Sequence, residues 1–239
     1  MKPSTRNLKD LVPERVKGPL RRAYQTRVFD RAMKQYLRDP EVCAHPEHPV
    51  LQDLVYGWGN PGWSAWTDYL AACMRHIMTS KGAILECGSG LTTIVVGVLA
   101  RRMGVEHWVL EHDARWAGKV SSVLSEYKLD EVRLVTKPLK DYGEFVWYDP
   151  PMEMLPDAIR VVVCDGPPSR TRGGRYGLVP VTKSRMQKGC TILLDDAGRV
   201  NEQDIAELWQ HELDATIVNA DTMKPYMIIT VPPQPHRSV

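Results

Sequence analysis

The chain has 239 residues, of which 43% are apolar and 25% charged, with a net charge of +2. That length can bury a full core as one domain with an addition, no apolar run is long enough to span a membrane, and Met1 to Leu20 has charges but not the apolar centre of a secretory signal. Five cysteines without paired spacing exclude a disulfide frame and a zinc cluster, and read as reduced, mostly buried thiols of a cytoplasmic protein.

Charge is unevenly spread. Residues 1–40 carry 11 Lys and Arg against 4 Asp and Glu, which leaves 20 against 25 for the remainder. The boundaries follow: a basic helical extension and loop over 1–62, a main domain over 63–231 and a loose tail over 232–239. The basic arm is a candidate for peripheral contact with an anionic membrane, nucleic acid or an acidic partner, and equally for a solvated helix face.

Residues 1–18 read as irregular, broken by Pro3, Pro13 and Gly18. A helix is expected from Pro19 to Arg38, with Leu20, Tyr24, Val28 and Met33 as a thin apolar stripe and Pro40 as its stop. The loop Cys43 to Val50 holds His45 and His48, but no third ligand follows at metal spacing. A structured loop, Tyr56 to Ser64, then leads into a helix with Trp63, Trp66, Leu70, Cys73 and Ile77 on one face. Trp58, Trp63 and Ser64 are candidates to roof a pocket.

The organising stretch is Ala83 to Thr93. An apolar run ends in Glu86, then Gly88 and Gly90 flank Ser89, and Leu91, Ile94, Val95, Val98 and Leu99 repeat at helical spacing. This reads as strand, tight turn and helix. Glycines there accept unusual backbone angles and let a ligand approach the main chain and the helix N-terminus. A second apolar run, Val105 to Leu110, ends in Glu111 roughly 20 residues beyond the glycines, where such folds bind a ribose.

Beyond it, Trp116, Val120, Leu124 and Tyr127 mark a helix and Val132 to Val135 a third strand. Two segments compete to be the fourth: Phe145 to Tyr148, followed by Asp149-Pro-Pro-Met152, and Ile159 to Cys164, followed by Asp165. A parallel crossover needs about a dozen residues, so Ile159 to Cys164 is the parallel strand and the earlier segment an edge strand or excursion. Gly177 to Met186 is a helix or turn, and Cys190 to Leu194 a fifth strand ending in Asp195 and Asp196. Asn201 caps a helix with Ile205, Leu208 and Trp209 facing inward. Thr216 to Asn219 and Tyr226 to Val231 form an antiparallel pair.

With Glu86-Cys-Gly-Ser-Gly90 as its best motif, this succession resembles the class I S-adenosylmethionine-dependent methyltransferases over about Ser64 to Val231. The resemblance implies a Rossmann-like, doubly wound α/β fold with a mostly parallel seven-stranded sheet and an antiparallel C-terminal pair. It further implies that Glu86, Gly88, Ser89, Gly90 and Thr93 hold the amino-acid part of the cofactor, Glu86 helping with its ammonium. Glu111 and His112 would meet the ribose, Leu139 the adenine, and Asp165 would border the cofactor too.

Asp165, Asp195 and Asp196, at neighbouring strand ends, form an oxygen set suited to magnesium. The arrangement is similar to metal-dependent O-methyltransferases of the catechol and macrolide-sugar types. In that reading Asp165 and Asp196 act in catalysis on a small-molecule or sugar hydroxyl. The alternative is that Asp195 caps a turn and Asp196 meets Arg199. The lysine base of catechol-type enzymes is missing: Arg170 stands a few residues past Asp165 and stays protonated. With Arg172 and Arg175 it forms a basic loop able to clamp a carboxylate or phosphate.

Three other readings compete. Asp149-Pro-Pro-Met152 resembles the motif of enzymes that methylate base amino groups but lacks its aromatic fourth residue, so a nucleic-acid partner is not expected. An NAD-dependent dehydrogenase would place a third glycine near Thr93. A non-catalytic binding protein with a degenerate site would bind neither cofactor. Nothing in the sequence names the oligomeric state.

Overall fold

The computed structural model describes residues 14–60 and 65–232. Its centre is a seven-stranded sheet of β1 (Ala83–Cys87), β2 (His107–Glu111), β3 (Val132–Thr136), β6 (Ile159–Cys164), β7 (Met186–Leu194), β8 (Thr216–Ala220) and β9 (Tyr226–Thr230), in the order β3-β2-β1-β6-β7-β9-β8. The first five strands in that order are parallel, while β9 runs antiparallel to both β7 and β8. This is the expected doubly wound α/β sheet. The order reverses between β1 and β6, so a crevice opens above their carboxyl ends.

Alternation along the strands builds a core on each face. Ile84, Val161, Val163 and Leu193 point to one side, where α3 (Thr67–Ser80), α4 (Leu91–Met103) and α5 (Ala114–Glu126) pack. Leu85, Val162, Ile192 and Leu194 point to the other, against α6 (Leu178–Thr182) and α7 (Val200–Leu213). Helix α4 is covered all round: every residue from Leu91 to Ala100 is buried. Its outer side faces the N-terminal pair α1 (Glu14–Tyr36) and α2 (Pro49–Trp58), and Tyr36 donates to the Val95 carbonyl at 2.9 Å.

Residues 1–13, Trp63, Ser64 and the tail from 233 lie outside the described residues. Helix α1 already runs from Glu14, not from Pro19, and ends at Tyr36 rather than Arg38. Pro19 lies inside the helix, in a stretch exposed from Gly18 to Tyr24. Leu20 and Tyr24 are 57% and 59% exposed; the buried stripe is Val28, Phe29, Ala32, Met33 and Tyr36. His48 caps α2 by accepting from Val50 N at 3.3 Å, with Pro49 as its first residue, so the histidine loop serves a helix start.

Phe145 to Tyr148 is an excursion and not an edge of the main sheet. Its β5 (Val146–Trp147) pairs only with β4 (Lys140–Asp141), and Trp147 is buried against the α6–α7 face. Strand β7 begins four residues earlier than expected, at Met186. Arg199, not Asn201, is the residue before α7, and Leu208 is 51% exposed because Ile205, Ala206 and Trp209 form the buried face. All five cysteines are free and buried, and Cys87 and Cys164 stand opposite one another in the β1–β6 register. No described helix is long and apolar enough to cross a membrane.

Helices α1 and α2 meet through backbone. A Cβ on Gly57 would lie 2.7 Å from Phe29 N, so the two chains touch only because that side chain is missing. Gly57→Ala is expected to destabilise by about 1–3 kcal/mol in urea unfolding, since rigid backbone must move. Gly118, exposed in α5 with open space around its Cβ position, is the converse. Gly118→Ala should stabilise by roughly 0.5–1 kcal/mol.

Candidate active site

A cleft of about 700 Å³ lies where the carboxyl ends of β1, β2, β6 and β7 meet, with Gly88, Ser89, Glu111 and His112 in one half of its wall and Asp165, Ser169, Arg170, Arg175, Asp196, Arg199 and Lys224 in the other. Gly88 adopts φ +88°, and a Cβ there would sit 3.1 Å from Gly166 N, so the turn needs glycine for angle and for space. Around Gly90 a Cβ would meet nothing within 4 Å, which leaves open volume at the start of α4.

Two acids hold this turn from opposite sides. Glu86 is fully buried: Oε1 accepts from the hydroxyls of Thr92 and Thr93, the latter at 3.0 Å, and Oε2 lies 2.8 Å from His107 Nε2. Thr93 in turn accepts from Gly90 N at 2.9 Å. The expectation that Glu86 and Thr93 touch a ligand is therefore corrected. Both side chains are spent behind the turn, on the first coil of α4.

Glu111 does reach the cleft, and there it staples β2 to the turn. Its Oε2 accepts from Ser89 N at 2.9 Å and Ser89 Oγ at 2.8 Å, its Oε1 from His112 N at 2.7 Å and Asp113 N at 2.9 Å. Burial pushes this carboxyl up, but the His112 ring and the Asp113 and Ser89 donors outweigh it and bring the pKa down to about 2. Trp116 adds a bond from Nε1 to the Ser89 carbonyl at 2.7 Å. Leu139 is absent from the cleft wall and packs on the α6–α7 core instead.

Tyr148, just after β5, closes the floor. It is 2% exposed, and its hydroxyl has no hydrogen-bond partner among the described residues. A side chain on Gly166 would collide with it. The open volume at Gly90, the helix start and this unpartnered hydroxyl fit a polar nucleoside ligand, which would satisfy a group otherwise costly to bury. Asp149, by contrast, pairs with Lys137 and Lys140 at 3.3 and 3.4 Å, and the Asp149-Pro-Pro-Met152 motif stays out of the cleft wall.

In the other half the three aspartates converge, with one oxygen of each lying within 4.8 Å of the others. Their charge is already met. Arg175, with its side chain 2% exposed, donates from Nη2 to Asp165 Oδ1 at 3.1 Å and Asp196 Oδ2 at 2.8 Å, and from Nη1 to the Asp195 carbonyl. Lys224 reaches Asp195 Oδ2 at 2.7 Å and Asp196 Oδ1 at 3.3 Å, and Arg199 reaches Asp196 Oδ2 at 2.8 Å. Asp196 makes these contacts from a left-handed backbone angle, φ +60°. A divalent cation among these oxygens would face two buried or half-buried cations at contact distance, so the donor set does not fit magnesium.

Burial and then Asp195 push Asp165 up to about 7, against the pull of Arg175 and Lys224. Asp196 goes down, because Arg175 and Lys224 outweigh its burial. Asp165 Oδ2 is the one aspartate oxygen in the cluster without a partner among the described residues. Lys224 was not foreseen, since it arrives from the β8–β9 connection. Arg172 was expected beside Arg170 at the site, but pairs with Asp141 outside the cleft.

No protein-family model and no curated protein matches the sequence. Solved structures do resemble the fold. A putative caffeoyl-CoA O-methyltransferase from Staphylococcus aureus aligns over 83% of this chain and 98% of its own, with a TM-score of 0.56 at 12% identity. A precorrin-6y C5,15-methyltransferase from Geobacter metallireducens GS-15 aligns over 72% and 91%, with a TM-score of 0.53 at 14% identity. An O-methyltransferase from Bacillus cereus in complex with S-adenosylhomocysteine aligns over 76% and 88%, with a TM-score of 0.51 at 13% identity. The chain has the α/β fold of class I methyltransferases.

Proposed function

We propose that the protein is an S-adenosylmethionine-dependent methyltransferase acting on a hydroxyl of a small molecule or sugar, without a metal. The observation that carries this reading is the pairing in one cleft of a glycine turn with an unpartnered carboxylate oxygen, Asp165 Oδ2. Bound there, the cofactor supplies an electrophilic methyl group. The backbone of Gly88 to Gly90 would support its amino-acid part and Glu111 its ribose, whose hydroxyl takes over from Ser89 Oγ. Tyr148 would close the site from below.

A hydroxyl must lose a proton as it attacks, and the catechol-type lysine is missing. Asp165 stands next to Gly166, which packs on Gly88, so its free oxygen is one residue from the turn. We assign it as the general base. Arg175 and Lys224 then hold the strand ends and supply the positive charge that a metal supplies elsewhere. The three similar structures are two O-methyltransferases and one C5,15-methyltransferase, so hydroxyl specificity rests on this carboxylate. Cytoplasmic placement remains part of the proposal, as does contact of the arm with an anionic surface, the latter supported by exposed Arg21, Arg22 and Arg27 on α1.

Asp165→Asn keeps shape and loses basicity. It is expected to lower kcat by about 10²- to 10⁴-fold while the Kd for S-adenosylhomocysteine changes little in calorimetry; unchanged turnover would remove Asp165 as base. EDTA should leave wild-type turnover intact, and loss of activity restored by magnesium would reinstate the metal.

Glu111 sets a pH signature. Its folded pKa is depressed, so its contribution is present above the ordinary value of 4.5 and is lost as pH falls towards about 2. That loss is on the order of 3 kcal/mol. Glu111→Gln should flatten acid unfolding across this window and weaken S-adenosylhomocysteine binding about tenfold, as loss of one charge-assisted bond pair implies. An unaltered acid limb would show that the staple is not formed.

A further inference from the structure

We infer that the acceptor is itself acidic: a small hydroxylated molecule whose carboxylate or phosphate is received by Arg170, Arg199 and Lys224. This rests on the methyl-transfer reading above and names its substrate class. Charge in this half of the cleft is stratified. Asp195 and Glu202 have no exposed side-chain surface and Asp196 only 9%, while Arg199 is 53% exposed, Lys224 25%, and Arg170 is exposed as well. Of the acids in this half only Asp165, with 25% of its side chain exposed, has appreciable open surface, so the lining carries one exposed acid against three exposed or half-exposed cations.

The donors on that lining are not used up. Lys224 gives two contacts, to Asp195 and Asp196, from an ammonium with three N–H groups. Arg199 binds Asp196 Oδ2 and Ser169 Oγ through Nη1 alone, which leaves Nη2 and Nε. Arg170 lines the cleft and forms no ion pair or hydrogen bond among the described residues. Each carboxylate oxygen of Asp195 and Asp196 already has a partner, Ser169 donates to Glu202 Oε1 at 2.5 Å, and the unpartnered Glu202 Oε2 is buried away from the cleft surface.

A neutral acceptor would leave these donors to water. An acidic one gains charge-assisted hydrogen bonds, bidentate where arginine is concerned, inside a partly closed cleft. It also solves an orientation problem. Asp165 Oδ2 and the cations belong to one half of the cleft, so an anion anchored on the cations presents its hydroxyl to the carboxylate. Trp66, 38% exposed, adds an apolar wall on which a ring can lie.

The test compares matched probes at constant ionic strength, by calorimetry, with and without saturating S-adenosylhomocysteine. 3,4-Dihydroxybenzoate and 3,4-dihydroxyphenyl phosphate should each bind at least tenfold more tightly than 3,4-dihydroxybenzyl alcohol, and the better of the two identifies the acidic group. Arg170→Gln should cost the acids about tenfold, leaving the alcohol and the nucleoside unaffected. Arg172→Gln, in the same loop but paired with Asp141, should change nothing. Equal binding of acid and alcohol, or equal effects of the two arginine variants, overturns the inference. If the nucleoside fails to bind, the methyl-transfer reading falls, while the arms without it still decide the charge preference.

Discussion

The ends of β6 and β7 carry three aspartates, and acids this close in a buried place cannot all stay charged unless something positive lies between them. Arg175 is that something. Its guanidinium is nearly sealed from water and spans Asp165, Asp196 and the Asp195 carbonyl. Removing one partner of such a set strands charge at a cost of several kcal/mol. The planar fork, with donors in fixed directions, is what lets one side chain tie two strands together. Lys224 completes the balance from the β8–β9 connection, and the acceptor half of the cleft inherits its layout from this arrangement.

The other half is built on the same economy of charge, with acids now doing the holding. Glu86 gathers Thr92, Thr93 and His107 beneath the glycine turn, and Glu111 gathers Ser89, His112 and Asp113 beside it. Neither the turn nor the first coil of α4 can shift without breaking several bonds to a carboxylate. The backbone facing the cleft is consequently fixed before any ligand arrives, which spares the ordering cost of binding.

Much of this could be read from residues alone. Period-two and period-3.6 patterns located β1, β2, β3, β6, β8 and β9 and the helices α3, α4 and α5, because these elements bury one face or both and composition reports burial. The crossover length rejected Phe145 to Tyr148 as a parallel strand. The capping pair His48 and Pro49 carries the signal for α2, whose two ends read as loop and whose middle stays unassigned because histidine is an uncommon cap. The misassigned roles share one cause. Whether Glu86 faces a ligand or two threonines, and whether Asp195 meets a metal or Lys224, depends on contacts between residues distant in the chain, and spacing says nothing about those. Arg172 and Arg175 sit three apart in one loop, yet one lies on the surface and the other in the core.

The sealed thiols have a consequence for handling the molecule. Burial pushes Cys43 up to about 11 and Cys190 up to about 12, and holds Cys73 and Cys87 well above the usual thiol range. These four thiols are held protonated and all five are buried while the fold is intact, so oxidants and alkylating reagents have little access to them. Unfolding releases five reactive sulfurs at once, with no native bridge to guide them. The same packing therefore implies tolerance of air in the folded form and a need for reducing agent during renaturation.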